Sequence, residues 1–71
     1  MRSILFTELI LSSGSNMVMH ETERAVHPAN ITSIIRTGEN TRILTMDGKD
    51  FLAKEPFSKV KQMWDAEMEK G

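Results

Sequence analysis

The stretch "TMDGKDFLAKEPFSKVKQMW", residues 45–64, decides the fold. It places Asp47-Gly48 between two apolar runs, which is among the strongest short-range signals for a β-hairpin with a two-residue type I′ turn. Pro56 suits the first position of a helix, where its missing N–H leaves no hydrogen bond unmade. The stretch therefore predicts strands over residues 41–46 and 49–54, followed by a helix over residues 56–69.

A two-residue turn would also set the pairing of this hairpin, because side chains alternate between the two faces of a sheet. Ile43 would lie opposite Leu52, as an apolar pair isolated among polar neighbours. We expect that pair to stay on the surface. The other face would pack on the core with four apolar side chains, namely Met46, Leu44, Phe51 and Ala53.

The C-terminal segment carries apolar residues at spacings of three and four, which is typical of an amphipathic helix. These residues are Phe57, Val60, Met63, Trp64 and Met68. We expect this stripe to pack on the sheet, with Trp64 as its largest contribution, because an indole buries more apolar area than any other side chain.

The first half of the chain predicts three more strands, over residues 4–11, 16–21 and 31–36, with residues 22–30 as a connection. A turn at Ser13-Gly14 would place Leu9 opposite Val18 and Ile10 opposite Met17. The chain is then one small domain over residues 1–71. Its fold class is α+β, a small antiparallel sheet or partly rolled barrel of about five strands with one C-terminal helix.

Composition narrows the functional classes. The 71 residues contain no cysteine and carry a net charge of −1, without the basic excess typical of nucleic-acid binders. The apolar run at the N-terminus is interrupted by Thr7 and Glu8 and is too short to span a membrane. We therefore expect a soluble, cytoplasmic protein without a membrane partner. A domain this small gains stability from a partner or a second copy.

The sequence offers no catalytic or metal-binding constellation. His20, Glu23 and His27 would share a face of a helix, but "HETER" lacks the second histidine of the zincin pattern and lies in a predicted strand and loop. The glycines stand singly, so they form no phosphate-binding loop, and no Gly-x-Ser-x-Gly elbow is present. We predict a protein that is not an enzyme, with no catalytic residues, no metal and no cofactor, and an enzyme or metal protein built on His20 and His27 stays a third hypothesis.

Two surfaces are candidates for binding. An apolar surface for a protein partner or for self-association would use Met17, Met19, Ile43 and Leu52. The alternative is a basic strip that contacts the phosphates of a nucleic acid, and it would use Arg36, Arg42, Lys49 and Lys54.

Three segments carry a resemblance to a known group of proteins: "LILSSGS", "VHPANITSII" and "TRILTMDGKDFLAKEPFSKVKQMW". Over about residues 4–64 the chain resembles small FlbD-like flagellar and swarming-motility proteins and related short phage proteins. The resemblance implies a β-rich fold closed by a C-terminal helix, without catalytic residues, that regulates through macromolecular contact.

From these observations we expect a non-enzymatic binding module that docks on a bacterial host protein and modulates its activity. By the resemblance the module would be phage-encoded and would act in the host cytoplasm, alone or as a homo-oligomer. The alternative is a nucleic-acid-binding transcriptional regulator that uses the basic strip on the second half of the chain.

Overall fold

The computed structural model of the chain describes residues 2–12 and 18–70. Five strands are present: β1 (Ile4–Ser12), β2 (Val18–Val26), β3 (Ile31–Thr37), β4 (Asn40–Thr45) and β5 (Asp50–Ala53). A 3-10 helix (Pro28–Asn30) joins β2 to β3, and the helix α1 (Phe57–Lys70) follows β5. The predicted α+β class is therefore confirmed.

The five strands form one antiparallel sheet in the order β2-β1-β5-β4-β3. The two edge strands, β2 and β3, are consecutive in the chain. A flat sheet of this order would separate them by about 19 Å. Five peptide steps span at most about 17 Å, and less through a 3-10 turn. The sheet therefore curls, and it stays open because β2 and β3 do not pair.

The loop between β4 and β5 has three residues rather than the predicted two. The Thr45 N–H donates to the Lys49 carbonyl at 3.0 Å, and the Gly48 N–H donates to the Thr45 carbonyl at 3.1 Å. Gly48 has a φ of +84°, whereas Asp47 lacks the positive φ that a type I′ turn requires. Asp-Gly is compatible with both loop lengths, so the dipeptide alone did not distinguish them.

Relative to the prediction, this extra residue moves β4 by one position against β5 and turns the side chains of β4 to the opposite faces. Ile43 lies opposite Phe51 instead of Leu52, and Ile43 is fully buried. Met46 is 71% exposed in the loop, and Leu44 lies on the face opposite Ile43. The predicted core face was therefore wrong for Leu44 of β4 and for Met46, and right for Phe51 and Ala53 of β5, which lie in the core, and the predicted surface position of Ile43 was wrong.

The first hairpin also differs from its predicted pairing. Its ladder runs from Ile4 opposite Val26 to Ser12 opposite Val18, so Leu9 faces Glu21 rather than Val18. The predicted turn and Met17 lie outside the described residues. β2 continues to Val26, well past the predicted end at residue 21. The polar residues at 22–26 did not predict a strand. They form one because β2 is an edge strand, which tolerates charged side chains that a central strand does not.

The core lies on the inner face of the curled sheet, which we define as the face that carries Ile43. Phe6 packs against Phe51 with ring centroids 5.7 Å apart. The buried apolar residues are Ile4, Phe6, Val26, Ile31, Ile43, Ala53 and Val60, with Ile34, Phe51, Met63 and Trp64 packed against them.

The helix α1 packs on the inner face with Val60 as its fully buried residue. Trp64 is half-buried, and its indole N–H donates to the Pro28 carbonyl at 3.0 Å. Met68, the last residue of the predicted stripe, is exposed. The helix starts one residue after Pro56, whose carbonyl accepts from the Val60 N–H at 3.2 Å.

Glu55 ties the start of the helix to the sheet. Its carboxylate accepts the Thr7 N–H of β1 at 2.9 and 3.1 Å. Its backbone carbonyl accepts the hydroxyl of Thr41, a fully buried residue of β4, at 2.9 Å. The residue that links β5 to α1 is thus bonded to both strands that flank β5, which sets where the helix begins.

Replacing Ile43 by alanine tests the observed register. Because Ile43 is fully buried, we expect Ile43→Ala to lower the free energy of unfolding by about 3 kcal/mol. Met46→Ala, a truncation at an exposed position of the same hairpin, serves as the control and should change it by less than about 0.5 kcal/mol. Chemical denaturation measures both. Similar losses in the two variants would contradict the register.

The pKa of the Asp47 carboxyl is a test of the hydrogen bonding within the β4–β5 loop. The Thr45 hydroxyl donates to this carboxyl, which lowers the pKa of Asp47, with a smaller contribution from Lys49. In Thr45→Val we expect this pKa to rise toward its ordinary range, as followed by NMR titration of the carboxyl. Thr37→Val, on β3, should leave it unchanged.

The sign of the pH dependence follows from the lowered pKa. The bond favours the charged carboxylate, so it stabilises the fold above about pH 4 and is lost as the pH falls through the folded-state pKa. The stability difference between wild type and Thr45→Val should therefore shrink in acid. A difference that grew as the pH fell would contradict the assignment.

Candidate interaction surface

The outer face of the sheet, opposite Ile43, carries a cluster of apolar side chains around β1. Ile4 and Phe6 point inward, so Leu9 and Leu11 point outward by alternation. Met19 of β2 lies opposite Leu11. Because Glu8 pairs with Ala53, the next residues along the two strands, Leu9 and Leu52, lie beside each other. We name this set the outer patch: Leu9, Leu11, Met19 and Leu52.

β1 is apolar on both faces, although the described chain covers one of them. Leu11 and Met19 are 52% and 51% exposed, whereas Ile4 and Phe6 on the inner face are each 2% exposed. A strand that is apolar on both faces is typical of sheets covered on both sides. The outer patch thus presents to water the kind of surface that proteins usually bury.

The described part of the first hairpin beyond the Glu8–Ala53 pair projects from the rest of the sheet. Among the described residues, β1 beyond the Glu8–Ala53 pair is bonded to β2 but not to β5. The molecule measures 46 × 23 × 17 Å. We name residues 9–12 and 18–21 the arm. Ile10, on its other face, is also 37% exposed. A two-stranded ribbon is marginally stable alone, so the arm would gain from contact with another surface.

The predicted partner-binding residues are only partly brought together. Met19 and Leu52 lie in the outer patch. Ile43 does not, because it is buried in the core, and Met17 lies outside the described residues. The sequence reasoning missed Leu9 and Leu11. The alternation of "ILFTELIL" contained the signal, since leucines occupy the positions between the inward-pointing residues.

The predicted basic residues do not form a continuous strip. Arg42 and Lys54 lie on the outer face, but Arg36 lies on the inner side with its guanidinium 5.2 Å from the Phe57 ring centroid. Lys49 follows the β4–β5 loop.

Three of these cations lie beside acidic side chains, and all of the pairs are about half exposed. Arg42 lies 3.2 Å from Asp50, Lys54 lies 2.6 Å from Glu21, and Lys49 lies 4.0 Å from Asp47. The hydrogen bond to Glu21 raises the pKa of Lys54. Exposed pairs of this kind contribute about 0–1 kcal/mol to stability, but they reduce the positive charge available to a phosphate.

The two histidines serve local structure. His20 lies in β2, with its Nε2 atom 2.9 Å from the Ser12 hydroxyl. His27 precedes the 3-10 helix, where its Nδ1 atom accepts the Ala29 N–H at 3.1 Å. Glu23 is in the same strand as His20, so the helical face that would unite the three does not form. Within residues 2–12 and 18–70, no three metal-type side chains come together.

A groove of about 540 Å³ lies between the start of β1 and α1. Ile4, Leu5 and Met63 form part of its wall, with Arg2 and Glu67 among its polar residues. The Arg2 N–H donates to the Glu67 carboxylate at 2.9 Å and lowers the pKa of Glu67, with help from Lys70. The other residues of its wall are Ser3, Lys59, Gln62 and Ala66.

Comparison with known proteins adds no functional information. No protein-family model matches this chain, and no curated protein or solved structure is significantly similar to it. The resemblance to FlbD-like and short phage proteins therefore stays a prediction. In the described part of the chain, the one α-helix is too short and too polar to cross a membrane.

Proposed function

We propose that this protein is a non-enzymatic binding module that docks on another protein through the outer patch. The observation that carries the proposal is that β1 is apolar on both faces while its outer face lies open to water. Burying Leu11 and Met19 against a partner would gain about 25 cal/mol for each Å² of apolar area. A few well-packed residues near the centre of an interface commonly supply most of its binding energy.

The surroundings of the patch suit a protein interface. Glu21 and Lys54 lie on the same outer face and neutralise each other at 2.6 Å. An apolar centre beside polar, solvent-exposed residues is the usual arrangement of such interfaces. Because the arm projects, a partner with an apolar cleft could hold it from both faces. Ile10 would then contact the second wall of that cleft.

The family resemblance supports a more specific proposal about the partner. On that analogy the module is phage-encoded and binds a bacterial host protein, whose activity it modulates in the host cytoplasm. This is an argument from similarity of pattern, and the residues of the outer patch do not depend on it.

The nucleic-acid alternative has weaker support. Arg42 and Lys54 already lie beside carboxylates, and Arg36 lies on the other side of the sheet from them. If the protein did bind DNA or RNA through these residues, its affinity would fall steeply as salt is raised. Retention of nucleic acid on purification, with that salt dependence, would favour the alternative over protein docking.

A charged substitution in the outer patch tests the proposed function. Leu11→Glu places a carboxylate within the patch, opposite Met19, and because Leu11 is half-exposed the fold should be retained. We expect the amount of a specific partner recovered from bacterial lysate to fall at least about 10-fold, equivalent to about 1.4 kcal/mol of binding energy. Quantitative mass spectrometry of pull-downs measures this loss.

Met46→Glu is the matched control, because it adds the same charge at an exposed methionine outside the patch. It should recover as much partner as the wild type. Circular dichroism melts of both variants would confirm that they are folded. Recovery of the same partner by Leu11→Glu and wild type, or of no specific partner by the wild type, would reject the proposal.

A further inference from the structure

The two edges of the sheet are protected to different degrees. β2 carries charges along its length, including Glu21, Glu23 and Arg24, and charged edge strands resist pairing with other chains. β3, "ITSIIRT", contains one charged residue, Arg36, and is rich in β-branched side chains. At the start of β3 the Ile31 N–H donates to the Pro28 carbonyl, but within the described chain the backbone from Ile34 to Arg36 bonds to no segment other than β4. β3 is therefore the edge open to strand addition.

The β3–β4 hairpin shows which backbone groups of β3 point outward. Thr37 and Asn40 flank a two-residue loop whose Gly38 has a φ of +60°, so they form a hydrogen-bonded pair. In an antiparallel ladder such pairs alternate with non-hydrogen-bonded ones. Ile35 therefore bonds to β4, whereas Ile34 and Arg36 direct their N–H and C=O groups to the free edge.

We propose that two copies of this chain pair along β3 and join their sheets into one. The strands run antiparallel, and the two-fold axis passes beside Ile35. Ile34 of each copy exchanges N–H···O=C bonds with Arg36 of the other. On the outer face, Ile35 meets Ile35 of the second copy at the close separation of a non-hydrogen-bonded pair.

The charge of Arg36 and the regularity of the β3–β4 pairing favour this register over its two neighbours. Centring the pair on Arg36 would place two guanidinium groups opposite each other. Centring it on Ile34 would place Arg36 opposite Thr32, where the β3–β4 pairing is irregular. With the axis at Ile35, no like charges face each other, and a side chain that is 44% exposed becomes buried. The strand is self-complementary in this register, which makes a second copy the occupant that fits.

The interface is small. A single pair of short strands buries less than the roughly 1,600 Å² of a standard interface, so we expect a dimer with a dissociation constant in roughly the micromolar range. The contact goes beyond the proposed function, because it uses β3, at the opposite edge of the sheet from the arm. The outer patch stays available for docking in the dimer.

Sedimentation equilibrium of the full chain from about 1 μM to about 1 mM tests the proposal. We expect the wild-type mass to rise from 8.1 kDa toward twice that value. Ile35→Lys places like charges on the two-fold axis and should stay at 8.1 kDa throughout, and so should Ile35→Glu. An equimolar mixture of the two variants should regain the dimer, because opposite charges then meet at the axis.

Met46→Lys is the control, since it replaces an exposed apolar residue outside β3 with the same cation and should dimerise like the wild type. Circular dichroism melts check folding. Should Ile35→Lys fail to fold, Ile35→Glu, which faces Arg42 across the β3–β4 ladder, provides the same test alone. A further readout is the amide exchange of Ile34 and Arg36, which should slow as the dimer forms.

Three results would overturn the proposal. These are a wild-type mass that stays at 8.1 kDa, dimerisation of a folded Ile35 variant to the wild-type extent, and a mixture of the charged variants that stays monomeric. Leu11→Glu should dimerise normally, so loss of docking and loss of dimerisation are distinguishable.

Discussion

The pairing of β4 with β5 determines which side chains enter the core and where the helix begins. Gly48 has a positive φ, which allows a three-residue loop. The Thr45 hydroxyl stabilises that loop, because it accepts the Lys49 N–H at 3.1 Å and donates to the Asp47 carboxylate. Because side chains alternate along a strand, this one choice turns Ile43 inward. It also assigns Leu52 to the outer face, where the proposed docking surface lies.

Glu55 fixes the start of the helix relative to the sheet. Its carboxylate is bonded to the Thr7 N–H and its carbonyl to the buried Thr41 hydroxyl, so α1 begins at a defined place between β1 and β4. From there Val60 enters the core, and Trp64 reaches the Pro28 carbonyl. The single helix covers the inner face, and nothing in the described chain is left to cover the outer face of β1. The exposed apolar surface is thus a consequence of how few elements the chain has.

The two proposed contacts use the two kinds of surface that a small open sheet leaves uncovered. One is the apolar outer face at Leu11 and Met19, and the other is the backbone edge of β3. The opposite edge, β2, is charged and unsuited to strand addition. A dimer formed through β3 would present two arms at its far ends. If both contacts form, a bivalent module results, and such a module binds a partner with paired sites more tightly than one copy does.

Local periodicity and turn chemistry were enough to predict the element types, namely the strand-rich first part, the Asp-Gly reversal and the amphipathic helix after Pro56. The sequence also contained Met19 and Leu52 as candidate surface residues. The face that each strand of the β4–β5 hairpin presents did not follow from the turn residues, because Asp-Gly suits both a two-residue and a three-residue loop. The three-residue loop also makes a contact distant in sequence, since the Met46 N–H donates to the Asn30 carbonyl at 2.8 Å. Pairing between strands also explains the length of β2. Its polar residues predict a loop, but they pair with β1 as far as Val26 and therefore form a strand.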